Sequence, residues 1–239
     1  MKNYLLVIAV FTILVSQNSC KKETTPTQFC KATKWSIGSQ SIAYIYDASG
    51  FIKKATGLDG SYSDYTQSGN LLTRQSYSSA GLPTGTITLT VNDAGYVIFD
   101  ASNPDTMLYK YNSEGQLSEF VRRQDTVKSR VVISYNGGDI QNIIEYKADS
   151  TIKSTKVYEY YTDRENNTNL NISYDLIDSR FGKPAKHFVK RITTGTSSNT
   201  LSYTYLTYTF DDRGSATKVQ IVNQPDNYVT DITFDYSCE

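Results

Sequence analysis

Few side chains in this sequence suit catalysis. His187 is the only histidine in 239 residues, which leaves no histidine cluster for a metal and little room for general-base chemistry. No serine sits in a nucleophile-elbow pattern, and His187, close to Lys186 and Lys190, reads as a surface residue. Three cysteines, Cys20, Cys30 and Cys238, cannot build a four-cysteine zinc site. The carboxylates Asp47, Asp93, Asp211 and Asp212 form a repeating acidic set. No segment carries the full calcium-loop pattern, so turn formation is the expected role. A second set, Asp163, Glu165, Asp175 and Asp178, lies in an Asn-rich stretch from 163 to 186. Two of these at catalytic spacing in a pocket would make a hydrolase. The 20 tyrosines would serve either as a glycan-stacking platform with Trp35 or as cross-strand packing. Aromatic pairs stabilise sheets, and a single Trp weakens the carbohydrate case. The expectation is a non-enzymatic protein with no cofactor and no metal.

The elements that carry these residues follow an internal repeat. The unit is an aromatic, Asp or Asn, two variable residues, Gly, any residue, then an aliphatic. It runs Tyr46-Asp47-Ala48-Ser49-Gly50-Phe51-Ile52, then Tyr111-Asn112-Ser113-Glu114-Gly115-Gln116-Leu117, then Phe210-Asp211-Asp212-Arg213-Gly214-Ser215-Ala216. Val91 to Val97 has Val in the aromatic slot. Tyr65 to Leu71 has Thr66 in the acidic slot, and Tyr135 to Ile140 is one residue short. Asp or Asn bonds the backbone two residues on, and Gly supplies the positive φ that ends a turn. Each unit is therefore expected to be a hairpin turn with a strand on either side.

Strand patterning agrees. Tyr228, Thr230, Ile232, Phe234 and Tyr236 share one face, and Val229, Asp231, Thr233 and Asp235 the other, the period of a strand. No long stretch has helical periodicity. Roughly 12 to 16 strands are expected at the spacing of a sandwich or barrel. The fold class is all-β: a long antiparallel up-and-down meander of repeated hairpins, curled or closed like a barrel, with no transmembrane span. Open twisted sheets rarely exceed about 10 strands. If the meander closes, Cys30 and Cys238 lie on its first and last strands and meet as a disulfide. Residues 163–186 break the repeat. They are expected to hold a long loop or a short helix around Leu170 to Ile177, or to cover a sheet edge or one barrel end.

The N-terminus sets the compartment. Tyr4 to Val15 is an apolar run after Lys2, too short to span a bilayer and right for a secretory signal. Cys20 follows a small residue at the end of that run. This resembles a bacterial lipobox, with Gln17 where Leu is usual, and the resemblance implies cleavage before Cys20 and its acylation. The expected organisation is a signal peptide over 1–19, a lipid-anchored tether over 20–29, and one β-repeat domain over 30–239. Lys plus Arg equals Asp plus Glu at 24 each, so nothing in the charge seeks nucleic acid.

The hairpin units at Tyr46, Tyr111 and Phe210 resemble tyrosine-aspartate repeats of cell-surface proteins in their core. Those units, Cys20, Phe181-Gly182-Lys183-Pro184-Ala185-Lys186-His187 and Tyr203-Thr204-Tyr205, taken in their order along the chain, resemble a family of Bacteroidetes envelope lipoproteins of unknown function. The resemblance implies a porin-like β fold and no assigned activity, so no functional residue carries over from it. The polar Thr and Ser on both strand faces argue against a membrane-spanning barrel. Asp105-Thr106, Asp125-Thr126 and Asp149-Ser150 resemble the acceptor motif of Bacteroidetes O-glycosylation, which would place sugar on Thr106, Thr126 and Ser150. The same dipeptides also simply make turns. The expected role is a binding or scaffolding module at the outer membrane. Its partners would be the membrane through the lipid anchor and an envelope protein or glycan. A glycan-binding accessory of polysaccharide uptake and a hydrolase in the 163–186 insertion are the alternatives.

Overall fold

The computed structural model describes residues 29–101, 105–171, 178–198 and 200–238. Cys20 and the tether before Phe29 lie outside the described residues, as does most of the helix expected around Leu170 to Ile177. Sixteen strands run in chain order. They are β1 Cys30–Ile37, β2 Gln40–Tyr46, β3 Ile52–Gly57, β4 Tyr62–Ser68, β5 Leu71–Tyr77 and β6 Pro83–Val91. Next come β7 Val97–Asp100, β8 Thr106–Tyr111, β9 Leu117–Gln124, β10 Thr126–Asn136 and β11 Asp139–Lys147. The last are β12 Ile152–Glu165, β13 His187–Thr196, β14 Leu201–Phe210, β15 Ala216–Gln224 and β16 Tyr228–Cys238. Each pairs antiparallel with its neighbour in sequence, and β1 pairs with β16 to close a barrel. Cys30 and Cys238 face each other in that closing register and are joined by a disulfide.

The repeat places its turns at one end. In an up-and-down barrel, the turns after even-numbered strands share an end with both chain termini. Every repeat unit falls there. Asp47 Oδ1 accepts from the amides of Ser49 and Phe51 at 2.9 and 3.0 Å. Asn92, Asn112 and Asp211 repeat that pair of bonds. The glycines of these four units have φ of 81–82°, a region open to Gly at no steric cost. The accepting side chain in the second unit is Asn92 rather than Asp93, so the acidic set is narrower than the sequence suggests. The two weaker copies differ as well. Thr66 lies within β4 opposite Thr73, and its hairpin turns at Gly69-Asn70. The unit at Tyr135 turns on Gly137-Gly138.

Two further features complete the unit. The pairing slips at Tyr46, Val91, Tyr111, Tyr135 and Phe210, just before each turn. These are β-bulges, which bend a strand and sharpen its twist. The tyrosine rings then turn inward, and their hydroxyls donate to carbonyls of a neighbouring strand. Tyr46 reaches Ala32 O at 2.5 Å, Tyr111 reaches Val97 O at 2.6 Å, and Tyr135 reaches Leu117 O at 2.8 Å. Tyr236 does the same with Ala216 O at 2.7 Å. Val97, Leu117 and Ala216 are the aliphatic slots of their own units. These four tyrosines are thus partly covered packing groups whose polar tips are satisfied by the ladder.

Two apolar clusters lie in the interior. Leu117, Val131, Ile133, Ile143, Leu206, Val219 and Phe234 form a buried cluster, and Leu72, Leu89, Val91 and Val97 a second. The outer face is charged. Lys110 and Arg130 flank Glu119 at 2.8 and 2.6 Å, Lys218 meets Asp231 at 2.7 Å, and Arg191 pairs with Glu159. Lys54 and Asp64 pair on the opposite wall. Each Lys or Arg facing lipid at the bilayer midplane would cost about 2–4 kcal/mol. These outward charges disfavour a lipid-facing wall.

Candidate functional site

A barrel of 16 strands encloses more space than its own side chains fill. Here the chain between β12 and β13 supplies the missing material. The irregular stretch begins at Asn166, since Asp163 to Glu165 belong to β12. Its described residues lie at the end of the barrel where the repeat turns lie and bond to several points of the rim. The Cys30 amide donates to Asn167 O at 2.8 Å. Asn167 Nδ2 donates to Arg213 O at 3.4 Å. The amides of Lys183 and Lys186 donate to Gly115 O and Gly138 O at 3.0 and 3.1 Å. Its described residues cover one barrel end, one of the roles expected for this stretch, and the helical element described in it is a short 3-10 turn, Ser179–Phe181.

Three residues drive the plug inward. Leu170 joins the main buried cluster. Phe181 packs against the second and meets Tyr109 edge-on, with ring centres 5.3 Å apart. Arg180, 2% exposed, donates from Nη1 to Ile52 O at 2.8 Å and lies 3.4 Å from Asp178 Oδ2. Its guanidinium also lies over the rings of Phe51 and Tyr65. The Asp178 carboxylate accepts from the Arg180 amide at 3.0 Å. Burial pushes the Asp178 carboxyl above the ordinary range, and the adjacent Arg180 only partly offsets that. Gly182 lets the chain leave the turn: at φ of 107°, a Cβ there would sit 2.9 Å from Leu117 N, which no side chain tolerates.

Above the plug the lumen holds a cavity of about 490 Å³, in the range of small-molecule sites. Its floor is Leu170, Asn171, Asp178 and Phe181. Its aliphatic wall rises through Leu89, Ile87, Ile232 and Ile42 to Ile37, beside the first turn of the opposite, open end. Trp35 and Tyr44 share that wall. Trp35 Nε1 donates to the Tyr44 hydroxyl at 2.7 Å. Burial pushes the Tyr44 hydroxyl up to about 12, with the Trp35 bond pulling the other way. Arg74 and Asp100 complete the lining. Leu58, Leu82, Leu201 and Tyr228 stand exposed at turns or strand starts of the open end. A second concavity, about 550 Å³, lies on the outside of the plug between Phe29, Phe51, Tyr96 and the lysines Lys31, Lys183 and Lys186. Its rings stand among four charged side chains, the three lysines and Glu165.

No protein-family model and no curated protein matches the chain. Solved structures share the fold, two of them as follows. One is a porin-like protein from Bacteroides uniformis ATCC 8492, with a TM-score of 0.64 at 19% identity, covering 87% of this chain and 98% of that one. The other is a porin-like protein from Bacteroides vulgatus ATCC 8482, with a TM-score of 0.60 at 14% identity, covering 87% and 99%. At these identities the likeness is one of fold: a porin-like barrel, as the resemblance in the sequence implied.

The structure distributes the sequence-derived candidates widely. Trp35 faces the lumen, not an outer groove. His187 is largely covered rather than a surface residue: its Nδ1 lies 2.6 Å from Asp139 Oδ2, and its amide donates to Asp139 Oδ1 at 2.8 Å. The pair ties the plug's exit to the β10–β11 turn. Glu165 pairs with Lys186 on the outside of the plug, Asp163 is exposed on β12, and Asp178 faces the lumen. Those three carboxylates do not share a pocket, and Asp175 lies outside the described residues. Thr106, Thr126 and Ser150 all stand at the open end, Thr126 and Ser150 exposed and Thr106 half-buried. Among the described residues no group of three or more His, Cys, Asp or Glu is placed to hold a metal.

Proposed function

We propose that this chain is a non-enzymatic envelope lipoprotein that uses its plugged barrel as a container. The signal peptide over 1–19, acylation at Cys20 and the tether over 20–29 belong to this reading, as does an outer-membrane location. The observation that carries the binding role is the apolar-walled cavity above the plug. An apolar or amphiphilic small molecule would enter from the open end and lie along the aliphatic wall. A closed ring of sixteen strands leaves no free edge for strand addition, which disfavours a partner protein docked by that route. The aliphatic wall likewise suits an apolar body better than a sugar. The exposed positions of Thr126 and Ser150 suit modification, and O-linked sugar at Thr106, Thr126 and Ser150 remains part of the proposal.

Trp35 reports on the site, being the only Trp in the chain. Titrating the purified protein with a medium-chain amphiphile is expected to change Trp35 emission saturably, with a dissociation constant of about 1–10 μM, or roughly 7–8 kcal/mol. Ile37→Phe, which narrows the mouth, should weaken binding about tenfold, or 1.4 kcal/mol. An unsaturable response, or one unchanged by Ile37→Phe, would remove the container reading.

The charged outer face makes a separate prediction. A Cys20→Ser form, lacking the acylation site, should stay monodisperse in detergent-free buffer, as measured by light scattering. Aggregation reversed only by detergent would mean that the wall belongs in lipid.

A further inference from the structure

One polar group on the lumen floor has nothing to bond. Asn171 is 8% exposed and lines the cavity, yet its Oδ1 has no hydrogen-bond partner. Its neighbours in the plug use their carboxamides on the protein. Asn166 Nδ2 donates to Leu170 O at 3.0 Å. Asn169 accepts from the Ala32 amide at 2.9 Å and donates to the Tyr46 hydroxyl at 3.0 Å. Buried carboxamides are rarely left unpaired in native structures, and a bound molecule is one way to satisfy them. Arg74 Nε on the wall is unpaired as well.

The charges around the cavity are engaged within the protein. Arg74, Asp100 and Asp178 line it, and Arg180 lies behind Asp178. Arg180 also lies 3.9 Å from Asp47 on the rim, whose carboxylate is held by the amides of Ser49 and Phe51. A ligand that brought its own charge to the floor would be desolvated with no free counter-charge to meet it. We infer that the lumen takes a neutral amphiphile, whose uncharged hydroxyl or amide head pairs with Asn171 while its aliphatic body lies along Leu89, Ile87, Ile232, Ile42 and Ile37. This rests on the reading of the lumen as a binding site.

The test compares four chain-matched probes by Trp35 emission: decanol and decanamide below their solubility limits, and decanoate and decylammonium below their micelle concentrations. Decanol and decanamide are expected to bind at least about tenfold more tightly than the two ions. Asn171→Leu should erase most of that preference. Asn171→Asp, which keeps the side-chain shape, should shift it toward decylammonium and serves if the Leu variant does not fold. Equal binding of neutral and charged probes overturns the head-group inference and leaves lumen binding standing. Tighter binding of decanoate overturns it in favour of Arg74 as the anchor. No response to any of the four overturns both.

Discussion

Replacing Cys30 and Cys238 by alanine is expected to lower the unfolding free energy by about 5 kcal/mol in the chain-entropy treatment of a loop this long. The two residues are 208 apart in sequence, so their bond removes much of the freedom of the unfolded chain. It also sits at the one seam, β1 against β16, that joins strands distant in sequence. Cys30 is fully buried and accepts a contact from Ser215 Oγ at 3.3 Å, so alanine leaves a small void besides. For a chain of this size, the loss should lower the melting temperature by about 10–20 °C. Urea denaturation of the oxidised protein and the double alanine variant measures it. A difference below about 1 kcal/mol would mean that the ladder alone holds the seam.

The second large effect is expected at Arg180. Arg180→Met keeps the length and apolar body of the side chain but removes the charge and the bond to Ile52 O. Asp178 is then left buried beside no cation, a change that costs about 3–5 kcal/mol. The pH dependence separates this from simple loss of packing. In the wild type, Asp178 holds its proton more tightly folded than unfolded, because its folded pKa is raised. That contribution favours the folded state fully below the unfolded pKa and is lost as pH rises through the folded value. Removing Arg180 raises the folded pKa further, so the variant should lose stability more steeply between acidic and neutral pH. Asp178→Asn in the same background should level the slope and recover part of the loss. Denaturation curves at pH 5 and 8 for the three proteins decide it. Parallel curves would place Arg180 outside the electrostatics of Asp178.

The meander and its closure were legible because their signals are local. A turn such as Asp47 to Phe51 is specified by five adjacent residues, and copies of it in series imply hairpins in series. The end-to-end position of Cys30 and Cys238 then predicted the seam. What stayed hidden depends on distance. Arg180 meets Ile52 across 128 positions and Asn169 meets Ala32 across 137, and no periodicity records such contacts. The bulges hid more. Each repeat unit inserts an extra residue on one strand, so inward and outward positions change parity at every hairpin. A strand-by-strand count could not say that Trp35, Arg74 and Asp100 look into one lumen. His187 reads as a surface residue beside Lys186 and Lys190 for a related reason: its partner Asp139 lies 48 positions away in sequence.

The mouth lies at the opposite end of the barrel from the start of β1 and the end of β16, separated from them by strands of up to 14 residues. At about 3.3 Å per residue, and with the strands tilted, this is some tens of ångströms. A protein held by its N-terminus would therefore stand on its sealed base, like a cup set on a shelf. Cargo would have to arrive from the medium above rather than from the surface beneath. Traffic through the same opening in both directions would make the vessel a carrier that fills and empties at one lip, not a conduit.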